Sequence, residues 1–222
     1  IWEQNDFKAI ITTGPPHSMH LLGRNLKRKT GIPWLADFRD PWSTWEFLDT
    51  LKLSGFARKK HQKLERSVFE EADRLVTISP TFQKEMKAIG AKDIQVLLNG
   101  FDPSDIPEFL ATSPGSSSVL EIVYSGVIDA IRNPLPFLKV LKSVFGNTSG
   151  KVRLTFVGRV NESVKQLLSE DNWFRAHVVL AGYVSHKEVF SFYQKANLLL
   201  LILTNTKNAK GNIPGKLFEY MA

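Results

Sequence analysis

Lys210, Gly211, Pro214, Gly215, Lys216 and Glu219 are the residues whose types and spacing most readily do chemistry. They follow the most apolar run of the chain, Leu198 to Leu203, which reads as a buried parallel strand. Pro214 reads as the opening of a helix, where its missing N–H costs nothing. Two ammonium groups, small residues and unpaired amides at a helix start favour a phosphate. Glu219 lies one turn further on, at i+3 from Lys216. A carboxylate there repels phosphate but suits sugar hydroxyls, as an acidic residue does for ribose in dinucleotide-binding folds. The plainer alternative is an ordinary loop with solvated lysines and an exposed Lys216–Glu219 ion pair, worth only a few tenths of a kcal/mol.

Such a loop needs a scaffold, and the pattern upstream supplies one. Strands are expected at 8–13, 32–38, 74–79 and 94–98, separated by helices. The first helix carries Met19, Leu22 and Leu26 at helical spacing, with Ser18 as its cap; the later ones cover about 56–72 and 80–89. Residues 102–118 hold Pro103, Pro107, Pro114, Gly115 and a run of three serines, and read as a linker. Alternation resumes with strands near 120–126, 152–158, 177–184 and 198–203 and helices near 134–145, 161–169 and 186–195. Ser185 and Glu188 form a capping-box pattern before the last of these. The expectation is an α/β protein of two domains with mainly parallel sheets, 1–101 and 119–222, joined by 102–118. Ligands are then expected at the carboxyl ends of strands.

Composition narrows the classes. With 222 residues, 43% hydrophobic and 23% charged, the chain is globular rather than disordered. No apolar run approaches the ~20 residues needed to span a bilayer. It has no cysteine, so disulfides, thiolate metal sites and a cysteine nucleophile are excluded. The net charge is +7, and residues 119–222, with 13 Lys+Arg against 7 Asp+Glu, hold most of it. A cleft in that half attracts anions. No recognition module or basic–aromatic repeat points to nucleic acid. No Ser–His–Asp set, metal-ligand cluster or Walker-type lysine loop is present.

Several segments together carry a resemblance. Thr13-Gly-Pro-Pro-His-Ser18, Ala36-Asp-Phe-Arg-Asp-Pro-Trp42, Ala72-Asp-Arg-Leu-Val-Thr-Ile-Ser-Pro80 and Leu98-Asn-Gly-Phe-Asp102 resemble first-domain segments of GT-B glycosyltransferases, in particular the retaining, metal-independent family 4. Tyr124-Ser-Gly-Val-Ile-Asp-Ala-Ile-Arg-Asn133, Ala181-Gly-Tyr-Val-Ser-His186 and Ile213-Pro-Gly-Lys-Leu-Phe-Glu-Tyr-Met-Ala222 resemble the donor-binding domain. The resemblance implies two Rossmann-like domains, incomplete at both the N- and C-terminus, and a cytoplasmic protein, peripheral at the inner face of the cell membrane in some settings. It implies transfer of a sugar, with retention, from a UDP- or GDP-sugar to a glycan or lipid-linked acceptor in cell-envelope polysaccharide synthesis. No permanent cofactor, metal or nucleic-acid partner is implied, whereas contact with an anionic membrane is allowed. A non-catalytic nucleotide-sugar-binding module and a GT-B epimerase are the alternatives.

By the same resemblance Arg132 and Lys216 stabilise the departing diphosphate. Gly126, Arg132, Gly182, Tyr183, Val184, Gly215, Lys216 and Glu219 hold the nucleotide, with Glu219 at the ribose. The family's arginine position falls on Val127, and its first glutamate on Gly211. That second departure removes the carboxylate expected near the donor sugar. His17, Arg39 and Asp40 stand on the acceptor side; the Arg39–Asp40 pair reads equally as a structural clamp, and a lone histidine such as His17 is more often structural.

Overall fold

A computed structural model of the chain describes residues 6–107, 118–129, 131–147 and 150–222. Most of the expected linker, 108–117, lies outside the described residues. The chain divides into two compact units, residues 1–99 with 206–214, and residues 100–205 with 215–222. Within the expected second domain, residues 206–214 thus pack with the first unit.

In the first unit β1 (Ile10–Gly14), α1 (Ser18–Thr30), β2 (Trp34–Phe38), α2 (Phe47–Thr50), α3 (Gly55–Glu71), β3 (Arg74–Thr77), α4 (Pro80–Ala88) and β4 (Ile94–Val96) follow in order. The four strands form one parallel sheet in the order β1-β2-β3-β4. Trp34, Ala36, Phe38, Val68, Leu75, Phe82, Met86 and Ile94 fill its core.

The face that α1 turns to the sheet differs from the expected one. Met19, Leu22 and Leu26 are exposed, while His20 and Gly23 are buried. Gly23 lets the helix approach so closely that a Cβ there would lie 2.5 Å from Trp34 Nε1. His20 is held neutral, its pKa pushed down to about 4 by burial, and its Nδ1 lies 2.9 Å from Thr12 Oγ1. Arg28 grips Glu71 with two hydrogen bonds and Lys27 pairs with Asp73 at 2.7 Å, fixing α1 on α3. A small residue and polar partners thus outcompete the apolar stripe for the inward face. Ser18 does not cap α1; the cap position is His17, which makes no side-chain capping bond.

In the second unit β5 (Leu120–Ser125), α5 (Leu135–Phe145), β6 (Val152–Val157), α6 (Glu162–Glu170), α7 (Asn172–His177), β7 (Val178–Gly182), α8 (His186–Lys195), β8 (Leu198–Leu199) and α9 (Lys216–Met221) build a second parallel sheet, ordered β7-β6-β5-β8. Ile122, Tyr124, Leu138, Leu154 and Phe156 lie on one face of it, Val123, Val157, Phe190 and Tyr193 on the other. The capping box of Ser185 and Glu188 opens α8 as the sequence pattern requires. The apolar run 198–203 gives only a two-residue edge strand, with Leu198 and Leu203 exposed. Among the described residues it pairs with β5 alone, so it is parallel but not buried.

Candidate functional site

Three strands of the second sheet end the same way: Tyr124-Ser-Gly126, Phe156-Val-Gly158 and Leu180-Ala-Gly182. At two of them the backbone requires glycine. Gly126 and Gly158 have φ of 126° and 128°, a region that side chains rarely tolerate. A Cβ on Gly158 would lie 2.2 Å from the Gly126 carbonyl oxygen, and one on Gly126 would lie 2.4 Å from Lys216 Nζ. The Gly126 N–H donates to Val157 O at 2.8 Å and the Gly158 N–H to Gly182 O at 2.7 Å, so the three strand ends are tied together. Above them opens a pocket of about 390 Å³, lined by Ser125, Gly126, Val127, Gly158, Arg159, Tyr183, Val184 and His186.

Lys216, the first residue of α9, reaches into this corner. Its ammonium donates to Ser125 O at 2.5 Å and sits 4.4 Å from the centroid of the Tyr124 ring. Burial, aided by the positive Arg132, pushes its pKa down to about 8, and Glu219 opposes the shift. Arg132 is itself held by Asp129, whose Oδ2 accepts from its guanidinium at 2.7 Å while Oδ1 accepts from its backbone N–H. This guanidinium acts electrostatically on Lys216.

Glu219 does not pair with Lys216. Its Oε1 lies 3.1 Å from His186 Nε2 and its Oε2 accepts a long hydrogen bond, 3.5 Å, from Tyr193 Oη. Tyr193 and Tyr220 converge on the Ser125 hydroxyl at 2.6 and 3.1 Å, and burial raises both phenol pKa values, so both remain protonated. The simple surface ion pair considered for Lys216 and Glu219 is therefore absent. In its place stands a partly buried acid held by a histidine and a tyrosine.

The structure brings Gly126, Tyr183, Val184, Lys216 and Glu219 to one end of the second sheet, with Arg132 acting on Lys216 and Gly182 anchoring Gly158. Gly215 occupies the N-cap of α9, so the helix starts after Pro214 rather than at it, and a Cβ on Gly215 would meet nothing within 4 Å. Lys210 and Gly211 do not join this helix start. They form a short 3-10 turn, Ala209–Gly211, within the first unit, and a Cβ on Gly211 would lie 2.2 Å from the buried Phe82 ring. Gly211→Glu is expected to destabilise the first unit by about 1–2 kcal/mol, within the range for overpacking a core. Urea unfolding monitored by tryptophan fluorescence measures it, and an unchanged midpoint would disprove the contact.

His186, Tyr193, Tyr220, Ser125, Gly158 and Arg159 escape sequence reasoning as site residues. A signal exists for Gly158, since three strands ending in the same small-residue pattern mark three aligned carboxyl ends. No local signal pairs His186 with Glu219.

In the first unit His17 is buried and stacked on Trp42, ring centroids 5.5 Å apart, with Nε2 lying 3.0 Å from Asp40 O. Burial lowers its pKa and keeps it neutral. Arg39 and Asp40 form no salt bridge among the described residues; burial raises the Asp40 pKa and the Arg39 charge only moderates it. The expected Arg39–Asp40 ion pair is thus a longer-range interaction. His17 and Trp42 line an apolar groove with Pro15, Leu21, Leu48, Leu51 and Leu64.

Residues 1–100 match the glycosyl transferase 4-like domain family. No curated protein matches the chain. Among solved structures, sucrose-phosphate synthase from Thermosynechococcus elongatus superposes with a TM-score of 0.62 at 14% identity, covering 87% of this chain and 49% of that one. Anabaena HepE in complex with UDP gives 0.64 at 14% identity, over 96% and 57%. The lipopolysaccharide outer core galactosyltransferase WaaB, in its apo form, gives 0.58 at 17% identity, over 99% and 55%. The chain spans about half the length of these structures. At such identities the likeness is one of fold, the GT-B arrangement of Rossmann-like parallel α/β units.

Proposed function

We propose that this chain, whose residues 1–100 carry a glycosyl transferase 4-like domain and whose fold is that of the GT-B glycosyltransferases, is the core of a nucleotide-sugar-dependent glycosyltransferase. Its second unit holds a nucleoside diphosphate sugar. The observation that carries this reading is the partly buried Lys216 ammonium beside the glycine-tied strand ends and the pocket they form. In that setting a diphosphate gains a charge-assisted hydrogen bond from a cation already stripped of part of its water. Arg132 adds a second positive charge. Glu219 accepts the ribose hydroxyls, and the Gly182–Val184 backbone meets the base. UDP is the nucleotide we favour, because HepE is described in complex with it.

Transfer with retention breaks the bond from the anomeric carbon to the diphosphate oxygen and forms one to an acceptor hydroxyl oxygen on the same face. The acceptor proton passes to the departing phosphate, and preorganised cations stabilise the charge that develops there. The acceptor is a glycan or lipid-linked glycan, and metal-independent transfer fits two fixed cations at the phosphates. His17, Arg39 and Asp40 are the acceptor-side candidates, with the neutral His17 held as part of the groove wall.

A second reading is favoured by Gly211. Its packing against Phe82 leaves no room for the carboxylate that the resemblance implies near the donor sugar. A nucleotide-sugar-binding module without transferase activity would need none. Release of UDP from labelled UDP-sugars separates the two.

Glu219→Gln tests the ribose role. It is expected to weaken UDP by about 1 kcal/mol, the loss of one charge-assisted bond, and to leave 2′,3′-dideoxy-UDP nearly unchanged. Isothermal titration of both ligands decides; equal losses would assign Glu219 to holding His186 alone.

A further inference from the structure

Glu219 stands on a six-residue helix, yet its carboxylate is held from α8. His186 is the first residue of α8, where the Ser185–Glu188 capping box fixes the backbone. Its ring meets the buried Phe190 edge-on, with centroids 5.3 Å apart at 68°, so the imidazole is set as well. The ring lines the pocket of about 390 Å³, and its Nε2 lies 3.1 Å from Glu219 Oε1. An ionised carboxylate only accepts, so Nε2 carries the proton that this contact uses. From the same helix Tyr193 Oη donates to Oε2 at 3.5 Å, and Tyr193 is itself pinned by the Ser125 hydroxyl at 2.6 Å. No other described residue hydrogen-bonds to the Glu219 side chain.

We propose that His186 is a positioning residue for the nucleotide, orienting the Glu219 carboxylate so that both of its oxygens accept from a ribose diol. A carboxylate offers about four acceptor positions, two on each oxygen. His186 takes one on Oε1 and Tyr193 one on Oε2, which leaves one free on each oxygen. Two neighbouring acceptors of fixed direction match two neighbouring hydroxyl donors, the 2′,3′-cis-diol. Folding stability does not account for the arrangement, because an ion pair with side chains 52% and 24% exposed adds little to it. Binding does account for it. A glutamate free to rotate must be ordered when the ligand arrives, and that ordering weakens affinity. His186 and Tyr193 impose the order beforehand. The inference rests on the ribose role of Glu219 proposed above.

Calorimetric titration of the full chain and its variants with UDP and 2′,3′-dideoxy-UDP tests it. His186→Ala is expected to weaken UDP about fivefold and to change dideoxy-UDP by less than about twofold. His186→Gln places an amide N–H at about the reach of Nε2 and should bring UDP affinity back to within about twofold of the unaltered chain. Adding His186→Ala to Glu219→Gln should cost UDP less than about twofold more, because no oriented carboxylate is left to lose. A purely structural His186 gives a different set of results. Parallel losses of both ligands in His186→Ala, no recovery in His186→Gln, or additive losses in the double variant would overturn the proposal. The two readings fail separately. A ribose-selective loss in Glu219→Gln without one in His186→Ala strikes the positioning role alone. Equal losses of both ligands in Glu219→Gln strike the ribose role, and the positioning role falls with it.

Discussion

Replacing Lys216 with methionine is expected to weaken UDP binding at neutral pH by about 2 kcal/mol, or roughly thirtyfold, the range for a hydrogen bond to a charged group. Methionine keeps the length and much of the apolar stem, so the loss isolates the ammonium. The pH dependence makes the test sharper. In the unliganded chain burial holds the Lys216 pKa down at about 8 against an ordinary 10.5. A diphosphate stabilises the charged form and raises that pKa again, so binding takes up a proton once the pH passes 8. UDP affinity of the unaltered chain should therefore fall between about pH 7 and pH 9 relative to Lys216→Met, whose profile lacks this component. Stability moves the other way. Between about 8 and 10.5 the unfolded chain binds more protons at this lysine than the folded one. The Lys216 contribution to folding in the unliganded chain thus becomes more favourable as pH rises through that window. Calorimetry in buffers of different ionisation enthalpy reads the proton uptake. A Lys216→Met affinity within twofold of the parent, or an identical pH profile, would remove Lys216 from the phosphate.

What could be read in the sequence was local. Ser185 and Glu188 sit three residues apart and satisfy each other's backbone, so α8 was legible to the residue. The β5, β6 and β7 strands are apolar runs closed by glycine, and the boundaries expected for them hold within two residues. Faces were harder. On α1 the decisive contacts are Gly23 against Trp34 of β2 and His20 beside Thr12 of β1, which depend on how the helix lies on the sheet rather than on its own periodicity, and they override the Met19, Leu22 and Leu26 stripe. The site divides the same way. Lys216 and Glu219 stand out because their charges flank a glycine-rich loop. The partner that Glu219 takes, His186, lies 33 positions away, and the tyrosines that hold Ser125 come from two different helices. Gly211 shows the limit from the other side. By resemblance its type reads as a missing carboxylate, whereas the fold gives it a positive reason, the Phe82 ring that occupies the space a side chain would need.

Gly158→Ala is expected to have the largest effect on stability, because two penalties coincide at one atom. The residue sits at φ 128°, and its new Cβ would lie 2.2 Å from the Gly126 carbonyl oxygen. A flexible side chain would rotate away at little cost, but this neighbour is backbone, fixed by the hydrogen bonds Gly126 N–H to Val157 O and Gly158 N–H to Gly182 O. Strained backbone costs on the order of 1–3 kcal/mol and overpacking a similar amount, so a loss of about 3 kcal/mol or more in the second unit follows. Any relaxation must push the Gly126 turn, and Gly126 lies against Lys216 Nζ, so UDP affinity should fall even in the fraction that remains folded. Gly215→Ala provides the contrast. Gly215 has φ −54° with open space where a Cβ would stand, so alanine there should be neutral or stabilise by about 0.5 kcal/mol, mainly by restricting the unfolded chain. Urea denaturation followed by circular dichroism reads both variants. An unshifted second-unit transition in Gly158→Ala would mean that the β5 and β6 ends do not meet at this distance. The pocket above them, and with it the placement of Lys216, would then have to be abandoned.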